Sequence, residues 1–139
     1  MKKYITILLI FLSIFGLISI VIITFQNPLR KSEENIKNDL LKQMPLGIDM
    51  HDVMKIVNKK NTWNIIWVSE KHGIVIGRNG PSTVRILDDE INVGKKSMCV
   101  DMGYYYKYFF VQTDVSAFFA FDENSKLIEI AVSKSMNVL

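Results

Sequence analysis

Residues that commonly do chemistry in proteins are few in this chain of 139 residues, and none has a spacing typical of a catalytic site. The only histidines are His51 and His72, and neither has a Cys, His or Glu partner at metal-ligand spacing. Cys99 is the only cysteine, which excludes an internal disulfide. It lies in Ser-Met-Cys-Val-Asp, a pattern that predicts a strand, so we expect a buried, inert thiol; an intermolecular disulfide or a reactive thiol is the alternative.

Two loops contain residue types found in nucleotide and calcium sites. Gly94-Lys95-Lys96-Ser97 is similar to the end of a phosphate-binding loop, but an extra Lys intervenes and Asp89 stands where the earlier Gly is needed. Asp88, Asp89 and Glu90 are not followed by the alternating oxygen ligands of a calcium loop. We therefore expect a protein that is not an enzyme, with no catalytic residue, no cofactor and no metal site.

The run from Tyr104 to Phe110 contains six aromatic residues around Lys107. Alternate residues of a strand face opposite sides, so these side chains cannot all enter one core. Because lysine is costly to bury, the side with Lys107 is expected to face outward. This predicts Tyr105 and Lys107 as protein-binding residues, unless a β-bulge swaps the sides. The remaining tyrosines of the run are expected to face the helices: Tyr104, Tyr106 and Tyr108.

Two other interpretations of the aromatic run stay open. In one, its two sides simply pack on the two faces of the sheet. In the other, tyrosines lie at a membrane interface, where they are favoured. The binding interpretation depends on tyrosine being rigid, amphipathic and enriched at protein interfaces.

The N-terminal segment from Ile5 to Phe25 has 21 residues and no charge. As a helix it would reach roughly 31 Å, about the thickness of the hydrocarbon core of a bilayer. It lacks the small-residue cleavage site of a signal peptide and the cysteine of a lipoprotein. Residues 1–26 are therefore predicted to be a transmembrane signal anchor, and residues 27–31 a juxtamembrane linker, since Asn27-Pro28 ends the helix.

Charges on the two sides of the anchor give its orientation. Lys2 and Lys3 precede it and Arg30 and Lys31 follow it, so the positive-inside rule gives nearly a tie. A four-residue tail with three positive charges is poorly suited to export, which places the N-terminus in the cytoplasm. We therefore expect a single-pass protein of the cell membrane with residues 32–139 outside. Removing two lysines from the net charge of +3 leaves +1, which gives no argument for nucleic acid.

Residues 32–139 are predicted to form an extracytoplasmic α+β domain. Ser32 and Asp49 are N-cap residues before two amphipathic patterns that end near Pro45 and Asn61. Strand patterns follow at 62–69, 74–76, 83–87, 98–105, 107–112, 115–121 and 127–133. Short turns between them favour antiparallel pairing. The predicted fold class is thus α+β, with an N-terminal transmembrane helix followed by a two-helix layer packed on an antiparallel β-meander.

Two short motifs resemble those of the SmpA/OmlA/BamE-like families. Pro45-Leu46-Gly47-Ile48-Asp49-Met50-His51-Asp52-Val53 is similar to their Leu-Gly-x-Ser/Thr turn, which leads into a helix with a Val. Phe121-Asp122-Glu123-Asn124-Ser125-Lys126-Leu127 is similar to their Phe-Asp-x-x-Gly-x-Leu hairpin. The resemblance covers residues 36–133. The chain departs from the families in lacking a lipid-bearing cysteine and the Leu-Gly-x-Pro after the second helix.

The resemblance implies two helices against a three- or four-stranded antiparallel sheet, as in the halves of beta-lactamase-inhibitor-like proteins. It also implies an envelope protein that acts by binding other proteins. We therefore predict a non-catalytic, membrane-anchored protein-binding domain of the bacterial cell envelope. Its expected partners are another envelope or secreted protein and the membrane through residues 5–25, with no nucleic acid and no small-molecule substrate. The alternatives are an immunity or inhibitor protein that neutralises a toxin or enzyme, and an enzyme whose site the sequence does not reveal.

Overall fold

The described residues form an α+β fold in which three short helices precede all of the described strands. The structure is a computed structural model that describes residues 10–16, 18–19, 27–77, 80–82, 91–108 and 110–138. For residues 80–82, 91, 107 and 108 it describes the backbone alone. A 3-10 helix, Pro28–Arg30, leads into helix α1, Glu33–Gln43, and helix α2, Met50–Asn58.

Both α-helices begin where the sequence predicts. The Ser32 hydroxyl accepts a hydrogen bond from the Asn35 amide at 3.2 Å, and the Asp49 carboxylate accepts one from the His51 amide at 2.9 Å. The hydrogen bond from the His51 amide lowers the pKa of Asp49. These side chains satisfy amide groups that have no partner inside a helix.

Seven strands in the described residues form two antiparallel sheets. The larger sheet has the order β1-β5-β6-β7. Its strands are β1 (Asn64–Ser69), β5 (Lys96–Tyr108), β6 (Val111–Phe121) and β7 (Leu127–Val138). The smaller sheet has the order β3-β2-β4, from β2 (Ile74–Gly77), β3 (Gly80–Ser82) and β4 (Ile91–Val93).

The predicted single meander is wrong, because β1 pairs with β5 rather than with the next strand in the chain. Strands β2, β3 and β4 are an insertion between these two partners and pair only with one another. The turn predicted near residue 106 is also misplaced, since β5 continues to Tyr108 and β6 begins at Val111. The strand predicted at 83–87 lies outside the described residues.

The predicted fold class is also wrong in its transmembrane helix. Among the helices that the structure describes, none combines the length and the apolar character needed to cross a membrane. Most of the predicted anchor, residues 1–26, lies outside the described ranges.

The core lies between the two α-helices and one face of the larger sheet. The helices contribute Ile36, Leu40, Met50, Val53 and Val57. Strands β5, β6 and β7 contribute the fully buried Phe119 and Phe121, together with Met98, Val100 and Ile130. Burial of this apolar surface is the main force that holds the helices on the sheet.

Two carboxylates cover backbone amides at the outer edge of β7. The Glu33 carboxylate accepts a hydrogen bond from the Lys134 amide at 3.0 Å. The Glu129 carboxylate accepts one from the Ile130 amide at 2.9 Å and also pairs with Lys37 of α1. Helix α1 is thereby joined to the edge strand by polar contacts as well as by the core.

Candidate functional site

A β-bulge in β5 decides which aromatic side chains reach the surface. The pairing of β5 with β6 shifts between Asp101 and Gly103, and Gly103 has a φ of 99°. The Asp101 carboxylate accepts a hydrogen bond from the Gly103 amide at 2.8 Å, which fixes the bulge. Val100 before the bulge and Met102 within it pack in the core; after Gly103 the alternation of the strand changes phase.

The predicted assignment of the tyrosines to the two sides is therefore wrong. Tyr104 and Tyr106 are 52% and 45% exposed, whereas Tyr105 is partly buried and packs against the core. The side chains of Lys107 and Tyr108 lie outside the described part of the chain, so the predicted side of Tyr108 is not tested. A binding role for Tyr105 or Lys107 stays a prediction that no contact tests. An Asp-x-Gly inside a strand pattern is the sequence signal that could have revealed the bulge.

Tyr105 lies between two cations on the helix side of the sheet. The Arg30 guanidinium carbon is 5.3 Å from the centroid of its ring, and the Lys134 ammonium nitrogen is 5.0 Å from it. The Lys134 ammonium also donates to the carbonyl oxygens of Leu29 and Lys31 at 2.8 and 2.6 Å. Tyr105 and Lys134 thus hold the 3-10 helix against the sheet, which is a structural role.

Replacing Tyr105 with alanine is expected to destabilise the protein more than replacing Tyr106. We expect Tyr105→Ala to lower the free energy of unfolding by about 2–3 kcal/mol, because it removes partly buried ring surface and two cation–π contacts. Tyr106→Ala should cost less than about 1 kcal/mol, since the ring is largely exposed. Urea denaturation of both variants measures the difference; equal losses would contradict this burial.

Tyr104 and Tyr106 form an exposed aromatic pair on the side of the sheet opposite the helices. Their ring centroids are 5.5 Å apart at an interplanar angle of 76°, an edge-to-face arrangement. The neighbouring Tyr104 phenol, together with desolvation, raises the pKa of Tyr106 above its ordinary value. The Tyr106 hydroxyl is therefore protonated at neutral pH.

Polar side chains of the next two strands extend this aromatic pair. Asp114 stands directly across from Tyr104, and Gln112 directly across from Tyr106. The Gln112 amide donates to one oxygen of the Asp114 carboxylate at 2.6 Å, and the Asn137 amide donates to the other. We name this set the tyrosine surface: Tyr104, Tyr106, Gln112, Asp114 and Asn137. Its side chains stand on three paired strands, β5, β6 and β7.

A groove lies between α1 and the 3-10 helix, separate from the tyrosine surface. It is a groove of about 460 Å³ whose walls include Leu29, Leu40, Trp63 and Met102. The Lys60 ammonium nitrogen at its rim is 5.5 Å from the centroid of the Trp63 ring. The groove contains no cluster of reactive side chains among its described walls.

The residues considered for catalysis or metal binding are not brought together. His51 and His72 are exposed, on α2 and in the segment before β2. Burial, with the charge of Asp101, raises the pKa of the Cys99 thiol to about 11, so it is protonated and a poor nucleophile at neutral pH. In the part of the chain that the structure describes, no three His, Cys, Asp or Glu side chains form a group that could hold a metal ion.

Of the two loops with residue types found in nucleotide and calcium sites, the structure describes only the loop of residues 94–97. Ser97 is buried and its hydroxyl donates to the His72 carbonyl oxygen at 2.6 Å, while Lys96 pairs with Glu70 at 3.0 Å. These two side chains are engaged within the protein rather than directed at an empty anion site. The acidic residues 88–90 lie outside the described residues.

The chain matches no protein-family model, and comparisons with curated proteins and with solved structures also give no match. The resemblance to the SmpA/OmlA/BamE-like families therefore stays a prediction. The described domain does place two α-helices against a four-stranded antiparallel sheet.

Proposed function

We propose that residues 32–139 are a non-catalytic protein-binding domain that uses the tyrosine surface to contact its partner. The observation that carries the proposal is the exposed Tyr104–Tyr106 pair beside a hydrogen-bonded carboxylate. Exposing large aromatic side chains to water carries a free-energy cost, and a partner that covers them removes this cost.

The physical properties of this surface suit protein recognition. A tyrosine side chain supplies a large contact area with few rotatable bonds, so little conformational entropy is lost when a partner binds. Amide, carboxylate and phenol groups around the rings supply hydrogen bonds that give specificity. Because the side chains stand on three paired strands, they are held in place before the partner arrives.

Site-specific photo-crosslinking in intact cells tests this proposal. A photoreactive phenylalanine at position 104 should give a discrete crosslinked product with one other protein. The same residue at position 66 is the control, because Ile66 is also exposed but lies on β1. With the captured protein purified, Tyr104→Ala should weaken binding about tenfold or more and leave the melting temperature unchanged. Identical products from positions 104 and 66 would contradict the proposal.

We also propose that the protein associates with a membrane through residues 5–25, and this depends on the apolar sequence of that segment alone. We expect the full chain to sediment with membranes. Deletion of residues 1–26 should release the remaining chain into the soluble fraction. Recovery of the full chain in the soluble fraction would contradict this association.

A further inference from the structure

We infer that the tyrosine surface recognises an arginine side chain presented by the partner protein. This inference rests on the proposed function and specifies the chemistry of the partner. It follows from the position of one carboxylate, the direction of its hydrogen bonds and the charge on each side of the sheet.

The Asp114 carboxylate is oriented by two amide hydrogen bonds. Each of its oxygens accepts one amide hydrogen bond, from Gln112 and from Asn137. A carboxylate offers about four acceptor positions, so each oxygen retains one. Two side-chain amides on neighbouring strands thus fix the plane of the carboxylate and leave acceptor positions open.

Nearby cations of the described chain are directed to the opposite side of the sheet. Lys134 contacts Tyr105 and the carbonyl oxygens of Leu29 and Lys31 there. Arg30 stacks on the same Tyr105 ring. Asp114 makes no ion pair with the side chains that the structure describes, and its carboxylate is therefore complementary to a cation that the partner presents.

Arginine suits this surface better than lysine. A guanidinium is planar and donates two parallel hydrogen bonds to a carboxylate. Its flat face also stacks on aromatic rings, and Tyr104 stands directly across the strand pair from Asp114. A lysine ammonium makes a single strong contact and is more strongly hydrated, so it cannot use the ring and the carboxylate equally well.

Titration of the full-length chain with short peptides tests the inference. The probes are three peptides of Gly and Ser that differ in one central residue, which is Arg, Lys or Glu. We expect the Arg peptide to shift the ring resonances of Tyr104 and Tyr106 in NMR spectra, with about fivefold weaker binding of the Lys peptide and none of the Glu peptide. Asp114→Asn should weaken binding of the Arg peptide about tenfold, since it removes a charge-assisted interaction.

Asp52→Asn is the matched control, because Asp52 is an exposed carboxylate on α2, far from the tyrosine surface in the fold, and pairs with Lys55. It should bind the Arg peptide like the unchanged chain. Equal binding of the Arg and Lys peptides, or Arg-peptide binding unaffected by Asp114→Asn, overturns the inference. If crosslinking from position 104 still captures a protein in that case, the proposed function stands and only the arginine specificity is wrong.

Discussion

Replacing Phe119 with alanine is expected to lower the free energy of unfolding by about 3–5 kcal/mol. Phe119 is fully buried on β6, the strand that pairs with both β5 and β7. Its direct cross-strand neighbours, Met98 and Ile130, are also fully buried. The truncation would leave a cavity that close-packed neighbours cannot fill, so both the transfer free energy and the packing contacts are lost.

Phe118→Ala is the matched control for this variant, because it removes the same side chain from the adjacent position. Phe118 faces the other side of the sheet, is partly exposed, and has its ring centroid 6.4 Å from that of Trp67. We expect it to cost about 1–2 kcal/mol, since less of its surface is removed from water. Urea unfolding followed by tryptophan fluorescence measures both variants. A larger loss of stability for Phe118→Ala would mean that the main core lies on the side of the sheet that Phe118 faces.

Replacing Gly73 with alanine is expected to lower the free energy of unfolding by about 3 kcal/mol. A Cβ atom at this position would lie 2.1 Å from the backbone oxygen of Val93 and 2.4 Å from that of Gly94. Backbone oxygens cannot rotate away as a side chain can, so the segments before β2 and after β4 would have to separate. Their separation should also disturb the hydrogen bond from Ser97 to the His72 carbonyl oxygen, which joins the two sheets.

Gly47→Ala separates this steric effect from the general cost of replacing a glycine. Gly47 has a φ of 87°, and no atom lies within 4 Å of the place that an alanine methyl group would take, so alanine there meets strain but no clash. We expect a loss of about 1–2 kcal/mol from the left-handed backbone alone. Thermal unfolding and hydrogen exchange of Ile74 and Val75 compare the two variants. Similar losses would mean that the close approach at Gly73 is relieved by small backbone shifts.

Local sequence signals predicted the parts of the fold that depend on nearby residues. Ser32 and Asp49 act as N-caps because a hydroxyl or carboxylate satisfies amides two or three positions later. The hairpin at Asp122 forms within a few residues, with the Lys126 amide donating to the Asp122 carboxylate. Such contacts depend only on residues that are close in the sequence.

Long-range pairing could not be predicted in this way. Ile65 pairs with Val100, and the segment between them contains a separate sheet. No residue near β1 indicates which distant strand will be its partner. The side assignment of the tyrosines failed for a different reason, since one extra residue at the Gly103 bulge reverses the alternation of Tyr104, Tyr105 and Tyr106. A charge rule based on Lys107 cannot detect that shift.

The carboxylates along β7 bear on how this domain behaves when many copies are crowded together. An open strand edge is a template on which another chain can build, and it is the usual starting point for edge-to-edge aggregation. Here a second chain would have to displace Glu33 from the Lys134 amide and Glu129 from the Ile130 amide. It would also have to break the contact between Lys37 and Glu129. Helix α1, which covers the core, therefore also hinders the addition of a second chain to the edge of the sheet.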